Sequence, residues 1–443
     1  MTLSGHIYSI WSDGPRAFQI FQVVRQATAI LIGILLAKSG LSLGEIGTYE
    51  LWMYISAIWA YFWFQGTNQA FMAWYPKLPS DQKPGAFLSL FFIHHVFSLV
   101  LVFIFIWNQG SVGYWLAQSD DFPFYHSLLI LLPLFLMSSI TPIFLMFSGL
   151  NKLLIIYSGL FLVSQFLAVS IPLLFGEGLS GIMTGLIIAA LLHYAFLILV
   201  LLKTGPPRLV GRKYFSPFIK SALPLITYTI IGAFAPLFDS WLVNFIFSNS
   251  EVFAVFRYGA KELPLSLALA GAFHMGMIAE MARDKSAGLS RVREGAVRLM
   301  KWFFPITIAL ILLSKPLYTF IFSPSFAESA GIFNVYLLIV VSRWIFPHSI
   351  LMALGKNNIL IVVAIAEMLI NVTLSIILVK MMGLIGIAFA TVIAYWFEKF
   401  CLVIWVRRQL HIRWSEYMDV RLWAGYSLLT LFIFTIVQFL MFT

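Results

Sequence analysis

The sequence predicts an all-α polytopic membrane protein: two six-helix bundles related by a pseudo-two-fold axis along the membrane normal, plus a thirteenth C-terminal helix. Three observations lead there. The 443 residues are 61% hydrophobic and only 10% charged, whereas a soluble chain carries roughly a quarter charged residues. Apolar stretches long enough to cross a bilayer recur along the whole chain. Two regions about 205 residues apart also carry the same order of helices and turns.

The spans run over 17–38, 48–73, 85–107, 124–147, 153–175, 180–202, 217–246, 251–281, 297–314, 329–353, 358–379, 384–406 and 421–442. The last is reached through the polar segment RRQLHIRWSEYMDVR. The opening residues, MTLSGHIYSIWSDGPR, lack the basic region, short apolar core and small-residue site of a cleavable signal peptide, so the first span is expected to stay as an anchor. Links such as SGLNK, FGEGLSG and KMMGLIG are short, which makes neighbouring helices antiparallel hairpins. The division expected is residues 1–214 for the first bundle, 215–410 for the second, and 411–443 for the link and extra helix.

The repeat is the main organisational signal. Pro142 is followed by IFLMFSGLNKLLIIYSGL and then GLSGIMTGLIIAALLHYAFLILVLLK; Pro347 is followed by HSILMALGKNNILIVVAIAE and then GLIGIAFATVIAYWFEKFCLVIWVRR. Gly178, Gly181 and Ile182 thus match Gly383, Gly386 and Ile387. Six helices separate the copies, and an even number gives both the same orientation. Substrate sites of repeat-built transporters lie at the interface of the repeats, which makes alternating access the expected mechanism.

Orientation follows from the placement of the cations. With a cytoplasmic N-terminus, the inner connections hold Lys77, Lys83, Lys152, Lys203, Arg208, Arg212, Lys213, Arg283, Lys285, Arg291, Arg293, Arg298, Lys356, Arg407, Arg408 and Arg413. The outer connections hold only Lys38, Lys315 and Lys380, beside Glu45, Asp120, Asp121, Glu177 and Glu328. The net charge of +10 is therefore topogenic and does not point to nucleic acid. The single Cys401 excludes a disulfide framework and a thiol metal cluster.

Ionisable residues within spans carry the functional reading. A charge at membrane depth costs at least ~2.5–3.5 kcal/mol unless it meets a wet cavity or a partner. In Glu251–Lys285, Arg257 and Lys261 lie four apart, so one helix would aim both the same way. They either face a wet cavity that attracts an anion or pair with Asp239, Glu262 or another interior acid. Arg25 and Arg343 complete a set of four deep cations, the candidate substrate-binding residues, since arginine suits the multi-oxygen acceptor of a phosphate. Asp239, Glu262, Glu367 and His274 are the candidates for coupling to a proton or cation, or for ion pairing. Glu398 and Lys399 read as snorkelling side chains near the end of the twelfth span. No nucleophile elbow, phosphate-binding loop, zinc motif or clustered acid pair is present, so neither enzyme, metal site, cofactor nor self-contained ATP-driven pump is expected.

Arg25, the stretch GLSLGEIGTYELWMYISAIWAYFWFQGTNQA from Gly40 to Ala70, and PLITYTIIGAFAPLFDSWLVNFIFSNSEVFAVFRYGAKELP from Pro224 to Pro264 resemble the polysaccharide transporter branch of the multidrug/oligosaccharidyl-lipid/polysaccharide exporter superfamily. The second stretch looks like that family's pattern of a helix ending in Asp, a short outward turn, and a helix opening with an aromatic-Arg-Tyr-Gly run. The resemblance implies flipping of a polyprenyl-diphosphate-linked oligosaccharide across the cytoplasmic (inner) membrane for surface polysaccharide of the O-antigen or capsule kind. Arg25, Arg257, Lys261 and Arg343 would then hold the diphosphate or acidic sugars. Membrane lipids and glycan polymerase proteins are the implied partners, and the thirteenth helix departs from the family's usual twelve. The alternatives are a cation- or proton-coupled multidrug antiporter and, against the short outward loops, a membrane glycan polymerase or ligase. The longest outward loop is NQGSVGYWLAQSDDFP.

Overall fold

The computed structural model describes residues 13–117, 122–203 and 209–442. Asp120, Asp121 and Arg208, counted in the charge asymmetry, and residues 1–12 of the opening segment lie outside these residues. Among the described residues there is no strand. Among the described residues, nine helices are long and apolar enough to cross a membrane, or ten when the bent pair Ser329–Arg343 and Pro347–Ala353 is taken as one span. Large apolar side chains stand exposed on them, Trp107 at 77%, Leu174 at 83% and Phe320 at 78%. Water would penalise such a surface and hydrocarbon does not; the chain is a multi-pass membrane protein.

In the first half, α1 is Gly14–Lys38, α2 Leu43–Trp59, α3 Gln65–Trp74, α4 Lys83–Trp107, α5 Gln109–Ala117, α6 Tyr125–Met137, α7 Ile140–Phe147, α8 Asn151–Leu174 and α9 Gly178–Leu202. A π-helical turn, Ala60–Phe64, joins α2 to α3. Ser42 and Glu45 form a reciprocal capping box at the start of α2, satisfying donors that a helix start otherwise leaves unmade. The second half holds α10 (Arg212–Phe247), α11 (Ser250–Gly259), α12 (Pro264–Arg283), α13 (Lys285–Ile321), α14 (Ser329–Leu337), α15 (Val340–Arg343), α16 (Pro347–Ala353), α17 (Asn357–Gln409), α18 (Trp414–Tyr417) and α19 (Val420–Phe442). Every expected span is largely helical, though the fourth is interrupted after Met137 and the tenth is split into α14, α15 and α16. The eighth is not one helix, however: α11 stops at Gly259 and α12 begins at Pro264. Proline lacks the N–H that a continuing helix would use and pushes the residue before it out of the helical region; Leu263 accordingly has φ −67°, ψ 112°.

The repeat is visible in the backbone itself. After α7, Leu150 N donates to Leu145 O at 2.9 Å with Gly149 at φ +70°. After α16, Lys356 N donates to Leu351 O at 2.8 Å with Gly355 at φ +68°. Gly178 (φ +60°) opens α9, and its counterpart Gly383 (φ +59°, ψ −137°) breaks α17 into two helices at the matching place. Side chains rarely adopt that backbone, so glycine punctuates both copies.

The chain divides into two compact units, Met1–Ala233 with Asn244–Glu251, and Phe234–Val243 with Val252–Thr443. Helix α10 serves both, and α19 belongs to the second. The first unit buries an aromatic cluster in which Phe71 packs on Trp74, Phe87 and Phe218. The second buries Trp344 against Phe303, and Phe304 stacks on Tyr426 of α19. Since lipid tails are as apolar as leucine, this close packing, not exclusion of water, holds the spans together.

Candidate functional site

In the first unit, α1, α2, α3, α6, α7 and α8 line a cavity of about 490 Å³, within the usual range of small-molecule sites. Arg25 and Gln22 stand one turn apart on α1 and line it together with Gln65, Asn68 and Gln69 of α3. No aspartate or glutamate is among the lining residues. The spacing of Gln65, Asn68 and Gln69 sets all three on one face of a helix, and the π-helical turn before them inserts the extra residue that determines where that face points. Asn68 Nδ2 donates to Ser139 Oγ at 3.3 Å. Phe21 stacks on Tyr157 at 5.9 Å, and both rings line the same cavity. The sequence reading found Arg25 but missed the amides; the signal was the string QGTNQ inside an apolar span, where each amide must find a partner.

In the second unit the deepest acid is Asp239 on α10, fully buried. Tyr336 OH donates to its Oδ2 at 3.2 Å, Ser375 Oγ to its Oδ1 at 3.4 Å, and Thr391 Oγ1 also donates to Oδ2. Asn371 Nδ2 donates to Thr391 Oγ1 at 3.0 Å. Asn371 and Ser375 precede the break at Gly383 and Thr391 follows it, so the knot ties both halves of α17 to α10 and α14.

The other expected residues of this unit are placed as follows. Arg343 forms an ion pair with Glu262, and only a small cavity of about 20 Å³ adjoins them. Arg257 Nη1 donates to Ser240 Oγ at 3.4 Å. Lys261 Nζ lies 5.0 Å from the centre of the Tyr258 ring, a cation–π distance. Because α11 ends at Gly259, Lys261 and Glu262 sit in the break, and the expected shared helical face of Arg257 and Lys261 does not form. His274 Nδ1 hydrogen-bonds Ser349 Oγ at 2.7 Å. Glu367 lies within electrostatic reach of Glu398 and Lys399. Glu398 and Lys399 do not snorkel: their side chains are 15% and 21% exposed, and both bind His348. A half-buried partner holds them in place of the interface. Among the described residues, no group of three or more His, Cys, Asp or Glu side chains could hold a metal ion.

This fold is shared by multidrug and lipid-flipping transporters of known structure. The chain is similar to the lipid II flippase MurJ in an inward closed conformation, with a TM-score of 0.71 and 16% identity over 96% of this chain and 93% of that one. It is also similar to an inward-facing multidrug resistance MATE family transporter of the MOP superfamily, with a TM-score of 0.65 and 14% identity over 87% of this chain and 94% of that one. An outward-facing structure of such a transporter matches at a TM-score of 0.56 and 14% identity, over 90% and 96%. No protein-family model matches the chain, and no curated protein sequence does.

Proposed function

We propose that this protein is a transporter that flips a polyprenyl-diphosphate-linked oligosaccharide across the cytoplasmic membrane by alternating access, with its N-terminus in the cytoplasm. The observation that carries this reading is the lining of the first-unit cavity, one arginine and four amides with no acid. Neutral amides both donate and accept, as sugar hydroxyls do, and a guanidinium matches phosphate or carboxylate oxygens. Arg25, Arg257, Lys261 and Arg343 hold the diphosphate or acidic sugars, Arg343 exchanging its bond to Glu262 for one to cargo. Asp239, Glu367 and His274 supply the coupling site for a proton or cation. MurJ, described as a lipid II flippase, has the same fold, which supports a lipid-linked glycan as cargo.

The second reading, a multidrug antiporter, draws on the MATE structures of like fold. An organic cation calls for an acidic or apolar cavity, and Arg25 counts against that. Purified protein in proteoliposomes decides between them. Movement of a labelled polyprenyl-diphosphate oligosaccharide to the opposite leaflet, lost in Arg25→Ala, supports the flippase. Uptake of a cationic dye without movement of that lipid overturns it.

A further inference from the structure

One cluster in the second unit is unused by this reading. His348, in the first turn of α16, lies between two neighbouring residues of α17: its Nε2 is 2.9 Å from Glu398 Oε1 and its Nδ1 is 3.0 Å from Lys399 Nζ. Lys399 Nζ is also 3.7 Å from Glu398 Oε2. All three side chains are between 15% and 22% exposed, so they are packed yet within reach of water.

The hydrogen bonds fix where the protons are. An ammonium group has only donors, so Lys399 must donate to Nδ1, and Nδ1 carries no proton. The ring proton is then on Nε2 and is donated to the Glu398 carboxylate. His348 is neutral, wedged between a cation and an anion. A second ring proton has only Nδ1 to occupy, and it would turn that acceptor into a donor facing Lys399. The Lys399–His348 bond must then break, while the bond to Glu398 gains charge assistance.

The surroundings leave room for such a proton. Facing the cluster are His274 of α12, its ring 6.3 Å from that of His348, Arg343 of α15 with its partner Glu262, and Glu367 and Tyr395 of α17. With the histidines neutral, two cations (Arg343 and Lys399) face three carboxyl groups (Glu262, Glu367 and Glu398), so when all three are ionised the cluster carries one negative charge in excess. One added proton cancels it, and an uncompensated charge at this depth is costly. The position is also mechanically apt: α16 follows a bend of 46° after Arg343, and the Lys399–His348 bond ties that short helix to α17.

We propose that His348, Glu398 and Lys399 form an exchangeable-proton site that the transport cycle needs in addition to Asp239, Glu367 and His274, each proton breaking the Lys399–His348 bond and its release restoring it. Its part in transport rests on the function proposed above; the proton site itself does not.

Two measurements test it on the full-length protein. In lipid nanodiscs, nitrogen NMR of labelled histidine, with His348 assigned by the signal missing in His348→Gln, should show the neutral Nε2–H tautomer at the alkaline end and the doubly protonated ring at the acid end of about pH 5 to 8. An Nδ1–H tautomer, or a single state throughout, overturns the site. In proteoliposomes carrying a labelled polyprenyl-diphosphate oligosaccharide, an imposed proton gradient should speed wild-type flipping at least tenfold. His348→Gln and Lys399→Met should flip at one rate with or without the gradient. Gradient acceleration that survives in His348→Gln, or its absence in the wild type, overturns that part in transport. Should the wild type move no such lipid, the flippase reading has failed, and the NMR result still decides the proton site.

Discussion

Arg343, at the end of a four-residue helix, is paired with Glu262, a residue 81 positions earlier in the break between α11 and α12. The pair joins two interruptions of helical structure. Each partner keeps the other from being an uncompensated charge in an apolar layer, and a cargo anion could replace Glu262 without leaving the guanidinium bare.

Removing one partner should therefore harm the protein more than removing both. Arg343→Met or Glu262→Leu alone should lower stability by about 2–3 kcal/mol, somewhat less than the ~3–5 kcal/mol of a fully buried pair, because both side chains retain some exposure. The double variant should recover most of that loss. Thermal unfolding in detergent, compared over the four proteins, checks it; equal losses in single and double variants would contradict the pairing.

The knot at Asp239 should be sensitive to shape as well as charge. Asp239→Leu leaves the hydroxyls of Tyr336, Ser375 and Thr391 without their acceptor, at about 1–3 kcal/mol for each buried group left unpaired. Asp239→Asn keeps an acceptor oxygen and should stay near wild-type stability while losing coupled transport. Melting temperature and flipping rate, measured on both variants, separate the two roles.

Arg25 should not be replaceable by lysine. The fork of the guanidinium recognises two oxygens at once and an ammonium does not, so Arg25→Lys and Arg25→Ala should each lower flipping at least tenfold, a change of about 1.4 kcal/mol. Gln65→Ala and Gln69→Ala, which remove neutral contacts from the same cavity, should cost less individually. Rates measured in proteoliposomes decide the order.

Gly383 should tolerate no side chain. Its φ of +59° with ψ −137° lies near a region that is essentially glycine's alone, where other residues pay about 1–3 kcal/mol. Gly383→Ala should lower the melting temperature. Gly425→Ala, in open space on α19, should leave it unchanged or raise it slightly.

Much of this was readable before any coordinates. The thirteen spans needed only length and apolarity, and the repeat needed only matched turns; Gly178 and Gly383 then proved to share a positive φ. Arg25 was found because a cation in an apolar span stands out. The amides of QGTNQ were not, since neutral polar residues are a weaker departure from the span's composition. Lys261 misled, because Gly259 ends one helix and Pro264 begins another where the hydropathy ran on unbroken.

The sequence alone determined that this chain crosses a membrane many times, which stretches of it are apolar helix, and that its two halves repeat. Those properties depend on local composition, and a bilayer acts on composition directly. Tertiary structure decided which charges meet: Arg343 with Glu262, Asp239 with three hydroxyls, and His348 between Glu398 and Lys399. Pairing depends on distance and direction between side chains of different helices, and spacing along one chain does not specify either.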